Sequence, residues 1–162
     1  MAHWLPRYYL DTSVIGGAVD VEEPQRLRLL DALFVCQDHR QFRLHSSVVL
    51  LEEIARAPQP VRTILEPYVV RLRLPILAES EASRHAAETL VRTGVLSRDA
   101  LDDARHLGCA MVAEMDAVVS WNFKHLVNPA RRRGIQSVCA LLGLRVLDVI
   151  SPLEVLVDDE PS

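Results

Sequence analysis

A chain of 162 residues, 49% hydrophobic and 25% charged, is long enough to bury one hydrophobic core without disulfide or metal staples, and its make-up is that of an ordinary folded domain. No apolar run approaches the roughly 20 residues of a membrane helix, and the opening MAHWLPRYYLDTS lacks the apolar core of a secretion signal, so no membrane association and a cytoplasmic location are expected. A net charge of −4 excludes whole-molecule attraction for nucleic acid; RNA binding would need a local basic patch or a bridging metal.

Arg7-Tyr8-Tyr9-Leu10-Asp11 reads as a buried first strand that ends on an acid ahead of Thr12, Ser13 and the Gly16-Gly17 pair. After Pro24, Leu27, Leu30, Leu33 and Phe34 recur at helical spacing up to the polar stretch from Gln37 to Arg40. Arg43 to His45 reads as a second strand. Ser46 or Ser47 caps a helix from Val48 that Pro58 and Pro60 end. A helix is expected near Val61 to Tyr68, and Val69 to Leu74 as a strand halted by Pro75. Glu79 to Thr93 carries Ala82, Ala86 and Leu90 on one helical face before Gly94. Ser97 offers the next N-cap, for a helix to about Ala113 whose buried stripe is Ala100, Ala104, Leu107 and Met111. Ala117 to Ser120 is a compact strand, Ala130 to Leu142 a helix, and Leu144 to Ile150 the last strand.

Short, nearly all-apolar strands alternating with helices predict an α/β/α fold, a parallel sheet covered on both faces. Residues 1–157 should form one domain, with 158–162 a frayed acidic tail. Cys36, Cys109 and Cys139 are odd in number, far apart and set among aliphatic residues, as suits reduced core thiols. In such sheets the ligand site lies beyond the carboxyl ends of the strands, where Asp11 and the Ser120–Asn122 segment fall.

Asp11 reads either as a functional carboxylate at that edge or as a turn and N-cap residue. Glu52 has Arg56 four residues on and is assigned to a surface ion pair. Glu53 has only Val49 and Ala57 at that spacing, so its carboxylate needs water or a cation nearby. Asp103, with His106 three residues on, forms the inward pair, while Asp102 neighbours Arg98 and Arg105. His106 is a metal ligand or, more commonly, a histidine satisfied within the core. No H-x-H or H-E-x-x-H spacing supports zinc. Carboxylates gathered in one pocket repel one another unless a cation neutralises them, and oxygen-only ligands suit Mg²⁺ or Mn²⁺.

The pieces YYLDTSVIGG, SSVVLLEEI, DARHLGCAMVAEMDAVVSWNFKHLVN and LRVLDVISPLEVL resemble the PIN domain, the nuclease fold shared by bacterial VapC-type toxins and several RNA-processing enzymes, from Tyr8 to about Leu156. The resemblance implies a three-layer α/β/α PIN-like fold with a central parallel sheet, and metal-binding acids at Asp11, Glu53 and Asp103. The family commonly has a fourth Asp where this chain has Asn122; the nearby Asp116 precedes the strand, and either residue is left to complete the site. Thr12, Ser13 and Ser120 resemble the small hydroxyl residues that hold the acids. Arg131, Arg132 and Arg133 would hold RNA phosphates or an acidic segment of an antitoxin, or else form a solvated basic face. Trp121 is read as a core anchor rather than a base-stacking ring.

The activity implied by the resemblance is that of a Mg²⁺- or Mn²⁺-dependent endoribonuclease, the toxin of a type II toxin–antitoxin pair, with a homodimer and an antitoxin partner as family expectations. The alternative is a weak or inactive PIN-fold module that binds RNA or protein. A phosphatase using Asp11 as nucleophile is disfavoured because Ser13 stands where the second acid of Asp-x-Asp would be, and no G-x-G-x-x-G supports dinucleotide binding.

Overall fold

The computed structural model describes residues 4–157, so the acidic tail at 158–162 lies outside the described residues. Five strands, β1 (Arg7–Leu10), β2 (Arg43–Ser47), β3 (Ile76–Leu77), β4 (Ala117–Val119) and β5 (Asp148–Ile150), form one sheet in the order β3-β2-β1-β4-β5 with every pairing parallel. The helices are α1 (Thr12–Gly16), α2 (Gln25–Asp38), α3 (Val48–Arg56), α4 (Gln59–Leu72), α5 (Glu81–Arg92), α6 (Leu101–Val112), α7 (Pro129–Leu141) and α8 (Pro152–Val157).

Strand alternation divides the core in two. Tyr9, Val118 and Val149 pack with Leu90, Leu107 and Ile135 of α5, α6 and α7 on one face. Leu10, Val119 and Leu44 pack with Val14, Leu30, Leu65 and Val155 of α1, α2, α4 and α8 on the other. This is the expected three-layer arrangement. From β1 the chain builds outward through β2 and β3 on one side and through β4 and β5 on the other, which puts the switch in strand order between β1 and β4. A crevice opens beyond the carboxyl ends of the strands at such a point.

Several segments depart from the sequence reading. The strand expected over Val69–Leu74 is the end of α4, and pairing begins only beyond Pro75, at Ile76. Leu65 and Leu72, both 4% exposed, lie two helical turns apart on the buried face, so packing overrides the β-branched Val69-Val70 pair. The last strand is shorter than Leu144–Ile150, because Leu144 N–H closes on Cys139 C=O past the left-handed Gly143 and terminates α7 instead. Two short helices, α1 and α8, add to the elements expected. Within α5 the inward residues are Ser83, Ala86, Ala87, Thr89 and Leu90, whereas Ala82 is exposed. Among the described residues no helix is long and apolar enough to cross a membrane.

Candidate active site

Asp11 leaves β1 at the switch point with 3% of its surface exposed. Its Oδ1 accepts the backbone N–H of Ser13 at 3.1 Å, which makes it the N-cap of α1, and the Ser13 hydroxyl at 2.6 Å. Its Oδ2 accepts the Ser120 hydroxyl at 2.5 Å. The capping and site readings of Asp11 therefore hold together: the cap orients the carboxylate that the crevice presents. Burial pushes the Asp11 carboxyl upward and Glu53 adds to it, while His106, Ser120 and Ser13 oppose.

Ser13 and Ser120 also tie the two strand ends together. The Ser13 hydroxyl accepts Trp121 N–H at 2.9 Å, and Ser120 Oγ accepts Asn122 N–H at 3.0 Å. Trp121 itself is a core residue, 8% exposed, with the Arg26 guanidinium 4.9 Å from its ring centre.

Glu53 points inward from α3, as the helix geometry predicts. Its Oε1 accepts the Thr12 hydroxyl at 2.8 Å and lies 2.5 Å from His106 Nε2. Behind it runs a buried chain: His106 Nδ1 is 2.6 Å from Tyr9 Oη, and Tyr9 Oη is 2.6 Å from Ser47 Oγ. With the ring proton on Nε2, every group donates once, from Ser47 to Tyr9 to His106 to Glu53. His106 is thus a satisfied histidine that orients Glu53. Tyr9 and Ser47 are site residues that the sequence does not single out; the alternating Tyr8-Tyr9 pair shows a buried aromatic but not its hydroxyl's partner. Tyr9→Phe leaves His106 Nδ1 without its partner and should cost about 1–3 kcal/mol in urea unfolding; an unchanged midpoint would mean the chain contributes nothing to the fold.

Asp103 stands on the first turn of α6, where Asn122 Nδ2 approaches its carboxylate at 3.4 Å. Its carboxyl is pushed up to about 6, first by burial and then by the charge of Asp11, with Glu53 and Asp102 adding and His106 opposing. The electrostatics thus register Asp11, Glu53 and Asp103 as one repelling group. Asn122 Oδ1 already accepts His125 N–H at 3.0 Å, which fixes the amide so that its NH₂ faces Asp103. The expected carbonyl ligand is therefore a donor to Asp103 in this arrangement.

The remaining expected residues lie elsewhere. Asp116 precedes β4 at the amino end of the sheet, where it accepts Arg7 N–H at 2.7 Å and pairs with Arg145; it does not join the cluster. Arg131 bonds the Val95 carbonyl, and Arg132 Nη2 donates to both Glu154 carboxylate oxygens at 2.8 and 2.9 Å, so both are spent on the fold and only Arg133 of the three is exposed. Glu52 pairs with Arg105 at 2.7 Å, not with Arg56, whose guanidinium reaches Asp102 at 2.8 Å. Among the described residues, no three His, Cys, Asp or Glu side chains are gathered tightly enough to hold a metal ion.

No family model and no curated protein matches the chain in sequence. Solved structures do match. A chain of the crystal structure of VapBC2 from Rickettsia felis bound to a DNA fragment from their promoter is similar with a TM-score of 0.56 and 14% identity, over 90% of this chain and 98% of that one. A chain of VapBC-5 from Mycobacterium tuberculosis, of the VapBC family of toxin-antitoxin systems, gives 0.49 and 16% over the same shares. At such identity the likeness to the first is one of fold, and with the parallel sheet and its switch point it identifies this chain as a PIN-like three-layer α/β/α fold.

Proposed function

We propose that this protein is a divalent-metal-dependent endoribonuclease that hydrolyses RNA phosphodiester bonds in the cytoplasm, the toxin of a type II toxin–antitoxin pair, acting as a homodimer restrained by a small antitoxin protein. The observation that carries the reading is the convergence of Asp11, Glu53 and Asp103 from β1, α3 and α6 on the switch point of the sheet, close enough that Asp11 and Glu53 raise the Asp103 pKa. The toxin assignment is supported by the fold shared with the VapBC2 structure.

The donors fit a hard cation in kind: they are carboxylate oxygens, and their mutual repulsion is what Mg²⁺ or Mn²⁺ would relieve. Such an ion, when bound, supplies a water of lowered pKa and balances charge growing on the phosphoryl group. The chain's own residues hold the ligands: Ser13 and Ser120 keep Asp11 in place, Thr12 and His106 orient Glu53, and the Asn122 amide steadies Asp103. Loading requires the carboxylates to draw together.

Cleavage of an RNA panel that includes transfer RNAs, with Mg²⁺, Mn²⁺ or EDTA, tests the reading. Wild type should cut only with metal, and Asp11→Ala should lose cleavage and any growth inhibition while keeping its circular dichroism spectrum. Cleavage retained in a cleanly purified Asp11→Ala protein sinks the proposal.

A second reading, a PIN-fold module that binds RNA or protein without cutting, is favoured by the neutral Asn122 with its oxygen already occupied. Calorimetry with Mn²⁺ separates the two. Micromolar binding that Glu53→Ala abolishes supports the enzyme; no binding by wild type supports the module.

A further inference from the structure

The acids occupy the carboxyl end of the sheet; the amino end carries a groove of about 1190 Å³, bounded by the C-terminal ends of α2 and α4 and the segments leading into β1, β2 and β3. Arg40, Arg43, Arg71 and Arg73 line it against a single acid, Asp38. Arg71 has Asp31 at 4.0 Å. Among the described residues, no ion pair or side-chain hydrogen bond engages the exposed guanidinium groups of Arg40, Arg43 and Arg73. The two helix C-termini contribute about half a negative charge each. With Asp38 and the Arg71–Asp31 pair counted, that leaves the groove about one positive charge on a protein whose net charge is −4. A concave field of that sign is what an acidic protein needs to hold phosphates.

The backbone adds a second observation. Arg40 (φ 58°) and Arg73 (φ 46°) sit in the left-handed region just past the ends of α2 and α4, where glycine is the usual occupant. Glycine would end both helices with less strain; Glu114 (φ 56°) takes the same conformation past α6 and away from the groove, whereas Arg40 and Arg73 each put a guanidinium on it. The groove also carries an indole, Trp4, 68% exposed. His45 lines its wall, 8% exposed, with Nδ1 lacking any hydrogen-bond partner among the described residues.

We propose that this groove is an RNA exosite: it grips single-stranded RNA outside the acid cluster, phosphates on Arg40, Arg43 and Arg73 and a base stacked on Trp4. The reading rests on RNA being the substrate. Unpaired arginines interleaved with an exposed aromatic ring are the elements of sequence-tolerant single-strand binding. An acidic peptide would use the arginines but leave the indole without a role.

Binding of an oligouridine of about 12 nucleotides, within the span of single-strand sites, is measured in EDTA by anisotropy and by quenching of tryptophan emission. Arg40→Gly with Arg73→Gly is the decisive variant, because glycine suits both backbones and the melting temperature should hold or rise. Affinity should fall about 10-fold, and the slope of log affinity against log salt should flatten by about 1.4, the loss of two single-strand phosphate contacts. Trp4→Ala should remove the quenching. Undiminished affinity in the glycine variant, or poly-glutamate competing as well as RNA, overturns the exosite. Metal-dependent cleavage by wild type with binding indifferent to the arginines defeats the exosite alone; weakened binding in the variant with no cleavage by wild type defeats the nuclease reading alone.

Discussion

Asp103→Asn should make the metal-free protein more stable at pH 7, by about 1–3 kcal/mol, while removing cleavage. Burial first, then the charges of Asp11 and Glu53, push the Asp103 carboxyl from 3.8 up to about 6. A rise of about two units is worth at most about 3 kcal/mol of discrimination against the ionised form. Because the folded-state value is the higher one, the folded protein holds this proton more tightly than the unfolded chain. The stability it contributes is complete below about pH 4 and is lost as pH rises through about 6. The asparagine variant does not titrate, so its advantage should be absent near pH 4, grow across that window and level off above pH 7. Urea unfolding in EDTA over a pH series measures it. Mg²⁺ should then stabilise wild type by mass action and leave the variant unmoved. A variant no more stable than wild type at pH 7 would mean that the three acids do not repel as a group, and the case for a cation among them would lose its electrostatic ground.

The same residues explain how much of this site is legible in the sequence. Glu53 is separable from Glu52 because helix geometry is local: positions four apart share a face, and only Glu52 has charge there. The expected partner of Glu52 is still the wrong one, since Arg105 comes from α6 and no spacing along α3 can reveal it. Asp11 and Asp103 are readable as strand-end and helix-start acids, but the hydroxyl cradle around Asp11 joins residues more than a hundred positions apart, and its pairing is set by the β1–β4 register. Asp116 shows the opposite failure. It is close to Asn122 along the chain, but β4 runs between them, so the two residues stand at opposite ends of the sheet. Tyr9, legible only as core, is the middle of the three residues in the hydrogen-bond chain behind Glu53 because its phenol, unlike its ring, is satisfied by long-range partners. In the fold, the apolar strands are readable from composition. The Val69–Leu74 error arises where β-branched residues lie on a helix whose buried face spans two turns.

The contact that holds Asp103 and His106 against the rest of the site lies behind them, where α6 crosses α5. A Cβ at Gly108 would stand 2.3 Å from the Ser83 carbonyl oxygen and 3.2 Å from Ala87 N, both backbone atoms of α5. Gly108→Ala gains about 1 kcal/mol of helix propensity, but it cannot be fitted by turning a side chain; the helices must part. Overpacking of this kind costs about 1–3 kcal/mol, and more where only backbone can yield. The variant should therefore be about 2 kcal/mol less stable. Displacing α6 also lengthens the 2.5 Å contact between His106 and Glu53 and the 2.6 Å contact to Tyr9, so cleavage should fall even at temperatures where the protein stays folded. Gly134→Ala is the control: its Cβ meets only the Val95 side chain, at 3.0 and 3.1 Å, and methyl groups can give way. Its effect should stay under about 1 kcal/mol, because propensity and crowding nearly cancel. If urea unfolding places Gly108→Ala within about 0.5 kcal/mol of wild type, a range ordinary for surface substitutions, then α5 and α6 open cheaply and the position of Asp103 must be set from the Asn122 side instead.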